Sequence, residues 1–563
     1  MNKIKSFINK HYAGLSVIAI CTLTFIFIAI INGFVFIIND DKTINNILSG
    51  TFTGNPNNEA TYISQIVCYP LMLLYKLIPG VPFYGLFLIL TMYTCSITIG
   101  LSIIKTDSQK NYFKSLLFFG IIFLGLLVYH ISNLQYTVVA IFPILAIIAL
   151  ITKKRDNTSL AFKIFYFLYI TFLMIISCAI RYHIFIIGMP FVGLAVLIKL
   201  LKNRQNKFFT LQFVLVITAA IFALGINTIT NNLILQQDEE YQSYIEYNQV
   251  RSDLFDTYGF PSYNEARELY DELGIDQETL KLISSHYMLD IKEANLYNLK
   301  QIRDYQIEHH NKTSKALYAG ITIFTHLFTS NFVEFLTLVV ISIYAIASFK
   351  KKTKIDTFFF YSLFVGAFLM AFMIAFLLKF PPRIASSILL CCILSVVSHR
   401  LCYAPLEDLH LDKVFIVLAC IIIPVNVFYT SAYMVYNKNN NGYKEMLESI
   451  ITNDDDFIYY SEDYVVTYQT EYALREPYRL TNYYYSTWNT MSPYAKTTIN
   501  NLGYDDIDDM FAHCNTLKIV LLRHSTMELL EYYFNKNYGR HLYVSQMIGS
   551  YYFDQELYIC EVI

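Results

Sequence analysis

Charge is scarce in this sequence. Of the 563 residues, 15% are charged and 55% are hydrophobic, whereas an average soluble domain has about 25% charged and about 45–50% apolar residues. This imbalance excludes an ordinary soluble enzyme, and it excludes a disordered chain, which combines low hydrophobicity with high net charge. Because 42 Lys and Arg residues face 44 Asp and Glu residues, there is no basic excess to favour a nucleic-acid partner. The lipid bilayer is the expected surrounding.

Cysteine motifs are also missing. The ten cysteines include no C-x-x-C pair and none at ligand spacing from a histidine, and most lie in or beside apolar runs, as small buried hydrophobic residues do. The sequence leaves open whether Cys514 and Cys560 form a disulfide.

Long apolar segments are what the sequence has in abundance. A helix needs about 20 mostly apolar residues to cross about 30 Å of hydrocarbon. Eleven segments approach that length: 14–38, 82–104, 113–130, 136–152, 161–180, 184–200, 208–229, 331–349, 356–379, 384–399 and 414–435. Two further apolar segments, 63–78 and 317–330, are predicted to be helices at the outer interface, with a spanning role left open.

Basic residues set the orientation, because Lys and Arg collect in the inner connections of membrane proteins. With the amino terminus inside, most basic residues fall in inner connections. The short outer connections hold only Lys42, Lys76, Arg181, Lys379 and Arg383. We therefore predict an α-helical polytopic protein with about eleven spans, its amino terminus inside and its carboxyl terminus outside.

Three long regions then lie outside the membrane. They are a first loop (39–81) and an insertion (230–316), both within a membrane domain of residues 1–435, and a tail (436–563). The tail alternates short β-branched or aromatic segments with helical ones, which predicts a small soluble α/β domain with strands at 456–460, 517–522 and 556–562 and helices at 494–502 and 525–536.

The tail also carries an aromatic run, Tyr483 to Tyr485 followed by Trp488. A sugar-binding platform is one interpretation of such a run. With 47 tyrosines in the chain, ordinary core packing is the preferred one.

Two adjacent carboxylates, Asp40 and Asp41, follow the first span on the predicted outer side. Charge is costly near lipid, so such a pair needs water, a cation or a protein partner. One interpretation is a general base, or a pair of ligands for Mg²⁺ or Mn²⁺. The other is a helix end in polar headgroups.

Basic residues at the predicted outer ends of other spans are candidates for binding an anionic lipid. Arg181 and Arg383, with His183 and Lys379 beside them, could clamp a lipid phosphate, since the guanidinium fork matches phosphate oxygens. Snorkelling of these side chains to lipid headgroups is the alternative.

Other polar residues flank the same level and are candidates for contact with an acceptor or for an accessory role. They are Glu59, His130, Gln135, Asn248 and Arg251. His130 also suits a purely structural, hydrogen-bonded role.

These features together resemble the GT-C superfamily of polytopic glycosyltransferases. The first loop is also similar to that of bacterial membrane proteins with Asn-Asp-Asp (39–41), Ser-Gly-x-x-Thr-Gly-x-Pro (49–56) and Leu-x-Pro-Gly-Val-Pro-x-Tyr-Gly (77–85). The chain has no Asp-x-Asp pair in that loop and no Trp-Trp-Asp motif.

The resemblance implies transfer of a sugar, a hexose, from a polyprenyl-phosphate donor to a surface glycan at the outer face of a bacterial plasma membrane. It implies that Asp40 or Asp41 serves as base or metal ligand and that Arg181 or Arg383 binds the lipid phosphate. A polysaccharide polymerase or ligase that uses lipid-diphosphate glycans is the alternative function. A lipid-linked glycan transporter or a non-catalytic membrane protein ranks third.

Overall fold

The computed structural model describes most of the chain. The described residues are 2–105, 108–153, 159–202, 207–235, 238–285, 289–309, 312–347, 353–403, 445–462, 471–477, 479–522, 524–548 and 557–563, with single residues at 422, 424, 425, 428, 432 and 465.

The described chain up to residue 403 is almost entirely helical. Its α-helices are α1 (Asn2–Ile31), α2 (Asn39–Ser49), α3 (Gln65–Leu77), α4 (Phe83–Ile103), α5 (Gln109–Ile122), α6 (Val128–Ser132), α7 (Tyr136–Val139), α8 (Ile141–Thr152), α9 (Leu160–Ile180), α10 (Tyr182–Lys202), α11 (Lys207–Leu235), α12 (Glu239–Ser252), α13 (Arg267–Glu272), α14 (Gln277–Ser284), α15 (Leu296–His309), α16 (Lys312–Phe328), α17 (Phe332–Ala347), α18 (Lys354–Leu377) and α19 (Pro382–Tyr403). Two π-helices (Phe123–Leu127 and Asp253–Tyr258) and a 3₁₀ turn (Lys292–Ala294) interrupt the series.

Eight helical segments among the described residues are long and apolar enough to cross a membrane. They are Tyr12–Ile31, Phe83–Ile103, Asn111–Ser132, Leu160–Ile180, Tyr182–Lys202, Phe213–Leu235, Lys354–Leu377 and Pro382–Leu401. These segments confirm the predicted polytopic helical architecture. The segment predicted at 136–152 forms a shorter apolar helical stretch, and the one at 414–435 lies outside the described residues except for single positions.

A sharply bent pair of helices accounts for the doubtful segment before residue 331. Leu317–Phe328 and Phe332–Ile346 meet at 82° across a short break, and together they are apolar enough for one broken span or a re-entrant loop. At the break the backbone N–H of Asn331 donates to the carbonyl oxygen of His326 at 2.8 Å. The bend places residues 329–334 beside the start of α19, where they line a cavity.

The first span ends earlier than its hydropathy suggests, at Ile31 and not at residue 38. Gly33 adopts a positive φ of 70°, and its N–H closes the helix on the carbonyl of Ile28 at 2.8 Å. Strand β1 (Val35–Phe36) then pairs in parallel with β2 (Asn133–Leu134) and antiparallel with β4 (Glu471–Tyr472). The apolar residues after Gly33 therefore belong to a buried strand.

Helix α8 is the centre of the membrane part. All of its residues are buried, and it packs against α4, α9, α10 and α19. A helix that is apolar on every face suits such a position. It begins directly after β2 and α7, so the neighbouring helices are arranged around the segment that carries Gln135 and Tyr136.

The tail forms a five-stranded sheet with the order β5-β3-β6-β8-β7. Its strands are β3 (Ile458–Ser461), β5 (Tyr483–Tyr485), β6 (Leu517–Leu521), β7 (Leu542–Ile548) and β8 (Leu557–Val562), and its helices are α20 (Pro493–Asn501), α21 (Ile507–His513) and α22 (His524–Tyr538). Strands β3, β5 and β6 are parallel, whereas β7 and β8 run antiparallel to their neighbours. The predicted α/β character of the tail is confirmed, although β5 and β7 were not predicted.

The insertion packs onto the tail. Buried residues of both regions form one hydrophobic cluster, and the hydroxyl of Tyr460 in β3 donates to Asp290 of the insertion at 2.9 Å. Burial raises the pKa of Asp290 to about 6. Two sequence-distant regions therefore share one extramembrane core.

The aromatic run of the tail is core, not a platform. Tyr483, Tyr484 and Tyr485 are each 5% exposed within β5, so the sugar-platform interpretation is wrong. Cys514 and Cys560 are buried free thiols.

A close backbone contact between α4 and the tail can be tested with Gly85→Ala. A Cβ at Gly85 would lie 1.9 Å from the carbonyl oxygen of Ala473, so we expect a loss of about 1–3 kcal/mol, as for other overpacked sites. Thermal unfolding of the detergent-purified protein measures this loss. Gly225→Ala in α11 is the matched control, because nothing lies within 4 Å of its added Cβ; equal losses in both variants would contradict the contact.

Candidate active site

Helix α2 carries the acidic pair in its first turn. Carboxylates are favoured there because the amino-terminal end of a helix has a partial positive charge. The helix is held on several sides: Asn45 donates to Glu471 at 3.0 Å and accepts from the hydroxyl of Tyr75 at 3.0 Å. The first loop therefore lies fixed between the membrane helices and the tail.

Asp41 is fully buried. Its Oδ1 accepts the hydroxyl of Tyr84 at 2.7 Å, and the backbone N–H of Tyr136 lies 3.1 and 3.3 Å from its two carboxyl oxygens. Burial raises the pKa of Asp41 to about 8. This carboxyl therefore joins α2 to α4 and α7 and is poorly placed to receive a proton from a substrate.

Asp40 is the accessible member of the pair, with 15% of its side chain exposed. Its Oδ2 lies 4.0 Å from Nη2 of Arg383 and accepts the hydroxyl of Tyr136 at 3.4 Å. The two neighbouring carboxylates thus face different partners. Of the two, Asp40 has the geometry of a general base.

A cavity of about 410 Å³ lies next to this pair. Three predicted residues, His130, Gln135 and Arg383, line it. The remaining lining residues come from the end of the β1 segment, the π-helix, α6, α7, the bend between α16 and α17, and the start of α19: Ile37, Ile38, Gly125, Leu126, Tyr129, Val138, Thr329, Ser330, Asn331, Phe332, Val333, Glu334, Pro381, Pro382 and Ser386. Arg383 therefore belongs both to the cavity wall and to the surroundings of Asp40.

Arg181 reaches the same place from the end of α9. Its guanidinium carbon lies 4.8 Å from the ring centre of Tyr62 and 5.1 Å from that of Tyr136, distances typical of cation–π contact. Tyr136 is thus in contact with Asp40, Asp41 and Arg181. The structure brings the four predicted charged residues together around this one tyrosine.

Asn248 and Arg251 form a second layer behind Tyr62. Arg251 donates to Oδ1 of Asn248 at 2.8 Å, and its Nη2 lies 3.4 Å from the hydroxyl of Tyr62. Both residues are buried, and neither lines the cavity.

Three predicted residues do not join this cluster. Lys379 pairs with Asp256 of the insertion at 2.5 Å, and His183 is exposed. Glu59 lies near Asp238, and burial raises its pKa to about 7, with Asp238 adding to the effect. Their proposed roles remain predictions.

Tyr62, Tyr136, Asn331 and Glu334 were not among the predicted site residues. A single signal pointed to Tyr136: it follows Gln135 in a short outer connection. Tyrosine is abundant throughout the chain, so residue type alone gave no further signal.

The acidic pair was also predicted as a site for a divalent cation. Both oxygens of Asp41 accept protein hydrogen bonds, and Asp40 faces a guanidinium, whereas Mg²⁺ takes several oxygen ligands in near-octahedral geometry. Among the described residues, no group of three His, Cys, Asp or Glu side chains is placed to hold a metal ion.

No protein-family model matches the chain, and no curated protein sequence matches it. Among solved structures it is similar to ArnT from Cupriavidus metallidurans bound to undecaprenyl phosphate, with a TM-score of 0.41, 10% identity and 97% of each chain covered. The apo state of the same protein gives a TM-score of 0.40 with the same identity and coverage. The chain is a polytopic helical membrane protein with a small carboxyl-terminal domain.

The buried carboxyl of Asp41 gives a pH-dependent stability that can be measured. Its folded pKa, about 8, lies above the unfolded value of about 3.9, so its contribution is fully present below about pH 4 and is lost as the pH rises through about 8. Asp41→Asn keeps an oxygen that can accept from Tyr84 and removes the titration. The melting temperature of the variant minus that of the wild type should therefore increase between about pH 5 and about pH 8.

Gly225→Ala adds no titratable group and serves as the control for this pH series. A difference between Asp41→Asn and wild type that stays constant over the same pH range would contradict the assignment.

Proposed function

We propose that this chain is a membrane glycosyltransferase that moves a sugar from a polyprenyl-phosphate donor to a glycan acceptor. One observation carries the proposal: the carboxylate of Asp40 and the guanidinium of Arg383 lie 4.0 Å apart beside a cavity of about 410 Å³ that Arg383 lines. A base and a phosphate-binding cation beside one cavity are the groups that displacement at a sugar–phosphate bond uses.

In the proposed reaction, Asp40 removes the proton from an acceptor hydroxyl. The hydroxyl oxygen attacks the anomeric carbon as the bond from that carbon to the phosphate oxygen breaks, and polyprenyl phosphate leaves with the electron pair. Arg383 stabilises the charge on the departing phosphate through its paired N–H donors. A single displacement of this kind inverts the anomeric configuration.

Asp41, Tyr136 and Arg181 position these groups. Asp41 fixes the backbone of Tyr136, and the hydroxyl of Tyr136 holds Asp40. The guanidinium of Arg181 lies against the ring of Tyr136 and adds positive charge near the site. This charge would help to attract an anionic lipid to the site.

The place of the reaction follows from the charge bias of the loops. Basic residues collect in the connections predicted to be inside, which favours the outer face for the site and the tail. The plasma membrane of a bacterium, which the family resemblance implies, is part of the proposal. A hexose as the transferred sugar and a surface glycan as the acceptor complete the proposal. A divalent cation at Asp40 and Asp41 stays a prediction, and no step here requires one.

Replacement of the proposed base tests this function. Asp40→Asn should lower sugar transfer about 10²- to 10⁴-fold, the usual contribution of a general base, without loss of folded protein. The measurement is mass spectrometry of the surface glycans of a deletion strain that carries either the wild-type or the variant gene, together with the thermal stability of the purified proteins. Full restoration of the missing sugar by Asp40→Asn would rule out the proposed base.

Binding of the lipid phosphate tests Arg383 separately. Arg383→Ala should weaken the binding of undecaprenyl phosphate about tenfold or more, since charge-assisted hydrogen bonds each contribute about 1.5–3 kcal/mol. Lys379→Ala is the matched control: it removes a cation from the same connection, but one that pairs with Asp256. Microscale binding measurements in detergent compare the two, and equal losses would contradict the proposed role of Arg383.

Asp40→Asn and a further variant, Arg181→Ala, separate the alternative function. A polymerase or ligase that uses lipid-diphosphate glycans should depend on Arg181 and Arg383 more than on Asp40. Activity retained in Asp40→Asn but lost in Arg181→Ala would favour that alternative.

A further inference from the structure

The cavity beside Arg383 has a polar wall that the proposed chemistry does not use. This wall consists of Asn331 at the bend, Glu334 in the first turn of α17, Ser386 one turn after Arg383 in α19, and His130 from α6. All four side chains are buried, with between 5% and 8% exposure for Ser386, His130 and Glu334 and 1% for Asn331.

The hydrogen bonds of this wall fix the side chains in place. Nδ2 of Asn331 donates to Oγ of Ser386 at 2.7 Å and to the carbonyl oxygen of Pro382 at 3.2 Å. Ser386 in turn donates to Oε1 of Glu334 at 3.1 Å, and Nε2 of His130 lies 3.3 Å from the same oxygen. The wall is therefore a connected network whose members have defined orientations.

One acceptor in this network has no donor. Oδ1 of Asn331 is buried and, within the described part of the chain, accepts no hydrogen bond. The orientation of the Asn331 amide follows from its contact with Pro382. The carbonyl oxygen of Pro382 can only accept a hydrogen bond, so the amide nitrogen of Asn331 must face it. A buried acceptor without a donor costs about 1–3 kcal/mol, and a ligand hydroxyl in the cavity would remove that cost.

The opposite side of the cavity is apolar. Ile37, Ile38, Leu126, Val138 and Val333 supply aliphatic side chains there. A lipid tail would leave the polar wall unused, and a phosphate would meet the carboxylate of Glu334. A sugar ring suits both sides, since its C–H groups can pack on the aliphatic residues while its hydroxyls donate to Asn331 and Glu334.

We propose that this cavity binds the sugar of the lipid-linked donor and that Asn331 and Glu334 determine which sugar is accepted. The inference rests on the proposed function and names the substrate-binding wall of that site. Arg383 holds the phosphate at one edge, and Ser386, three residues further along α19, lies on the same face of that helix. The sugar hydroxyls would therefore face Glu334 and Asn331 while the anomeric carbon faces Asp40.

The test compares two lipid probes on the full-length protein in detergent. Undecaprenyl phosphate reports the phosphate site alone, and undecaprenyl phosphate linked to glucose, mannose or galactose reports the phosphate and sugar sites together. In wild type, at least one hexose should increase the affinity above that of the bare lipid. Glu334→Gln and Asn331→Ala should each reduce this increase about tenfold while leaving the affinity for undecaprenyl phosphate unchanged.

Thr337→Val is the matched control, because Thr337 is a buried residue one turn beyond Glu334. Its hydroxyl donates to the carbonyl of Val333, and it is not among the residues that line the cavity. This variant should keep the full increase in affinity that the hexose gives over undecaprenyl phosphate alone. If Glu334→Gln lowers the melting temperature, Asn331→Ala still tests the inference. If Asn331→Ala lowers it, Glu334→Gln does so.

The outcomes distinguish this inference from the function on which it rests. If undecaprenyl phosphate binds but no hexose increases the affinity, or if both variants keep the increase, the sugar site is overturned and the lipid-phosphate site stands. If the variants weaken both probes equally, their role is structural and the inference fails. If wild type binds neither probe, the proposed function itself is overturned, and the sugar site with it.

Discussion

The pairing of β1 with β2 and β4 is the constraint on which the site depends. This short sheet joins the segment after the first span, the connection between α6 and α7, and the tail. The backbone N–H of Ile37 continues it by donating to the carbonyl of Leu134 at 3.2 Å. Because α2 begins directly after this sheet, the acidic pair is placed against Tyr136, which begins α7 two residues after β2 ends.

The two adjacent carboxylates, Asp40 and Asp41, differ in burial and in hydrogen-bond partners. Asp41 lies where burial favours its neutral form, and its hydrogen bonds to Tyr84 and Tyr136 compensate for the loss of water. Asp40 keeps partial exposure and a cation at 4.0 Å. Two residues of the same type, one position apart, thus differ in accessibility and in bonding partners because their surroundings differ.

Much of the fold was predictable. Hydropathy is a local property, so the spans, the α/β tail and the scarcity of basic residues in the short outer connections could all be found from residue patterns. The end of the first span could not be found in this way, since the apolar run through Ile38 does not reveal that a partner strand converts it to β-structure. The bend between α16 and α17 was missed for a similar reason, because its two halves read as separate short segments.

The sequence by itself determined that this is a membrane protein and which few charged residues stand at the predicted outer ends of its spans, because composition and the spacing of apolar residues are enough for both. Only the tertiary structure decided which of those residues meet. Arg383 lies in the cavity and Lys379, from the same connection, pairs with the insertion. Which residues meet depends on contacts between segments far apart in the chain, such as α2 with α19 and Asp256 with Lys379. Local sequence patterns do not predict such contacts.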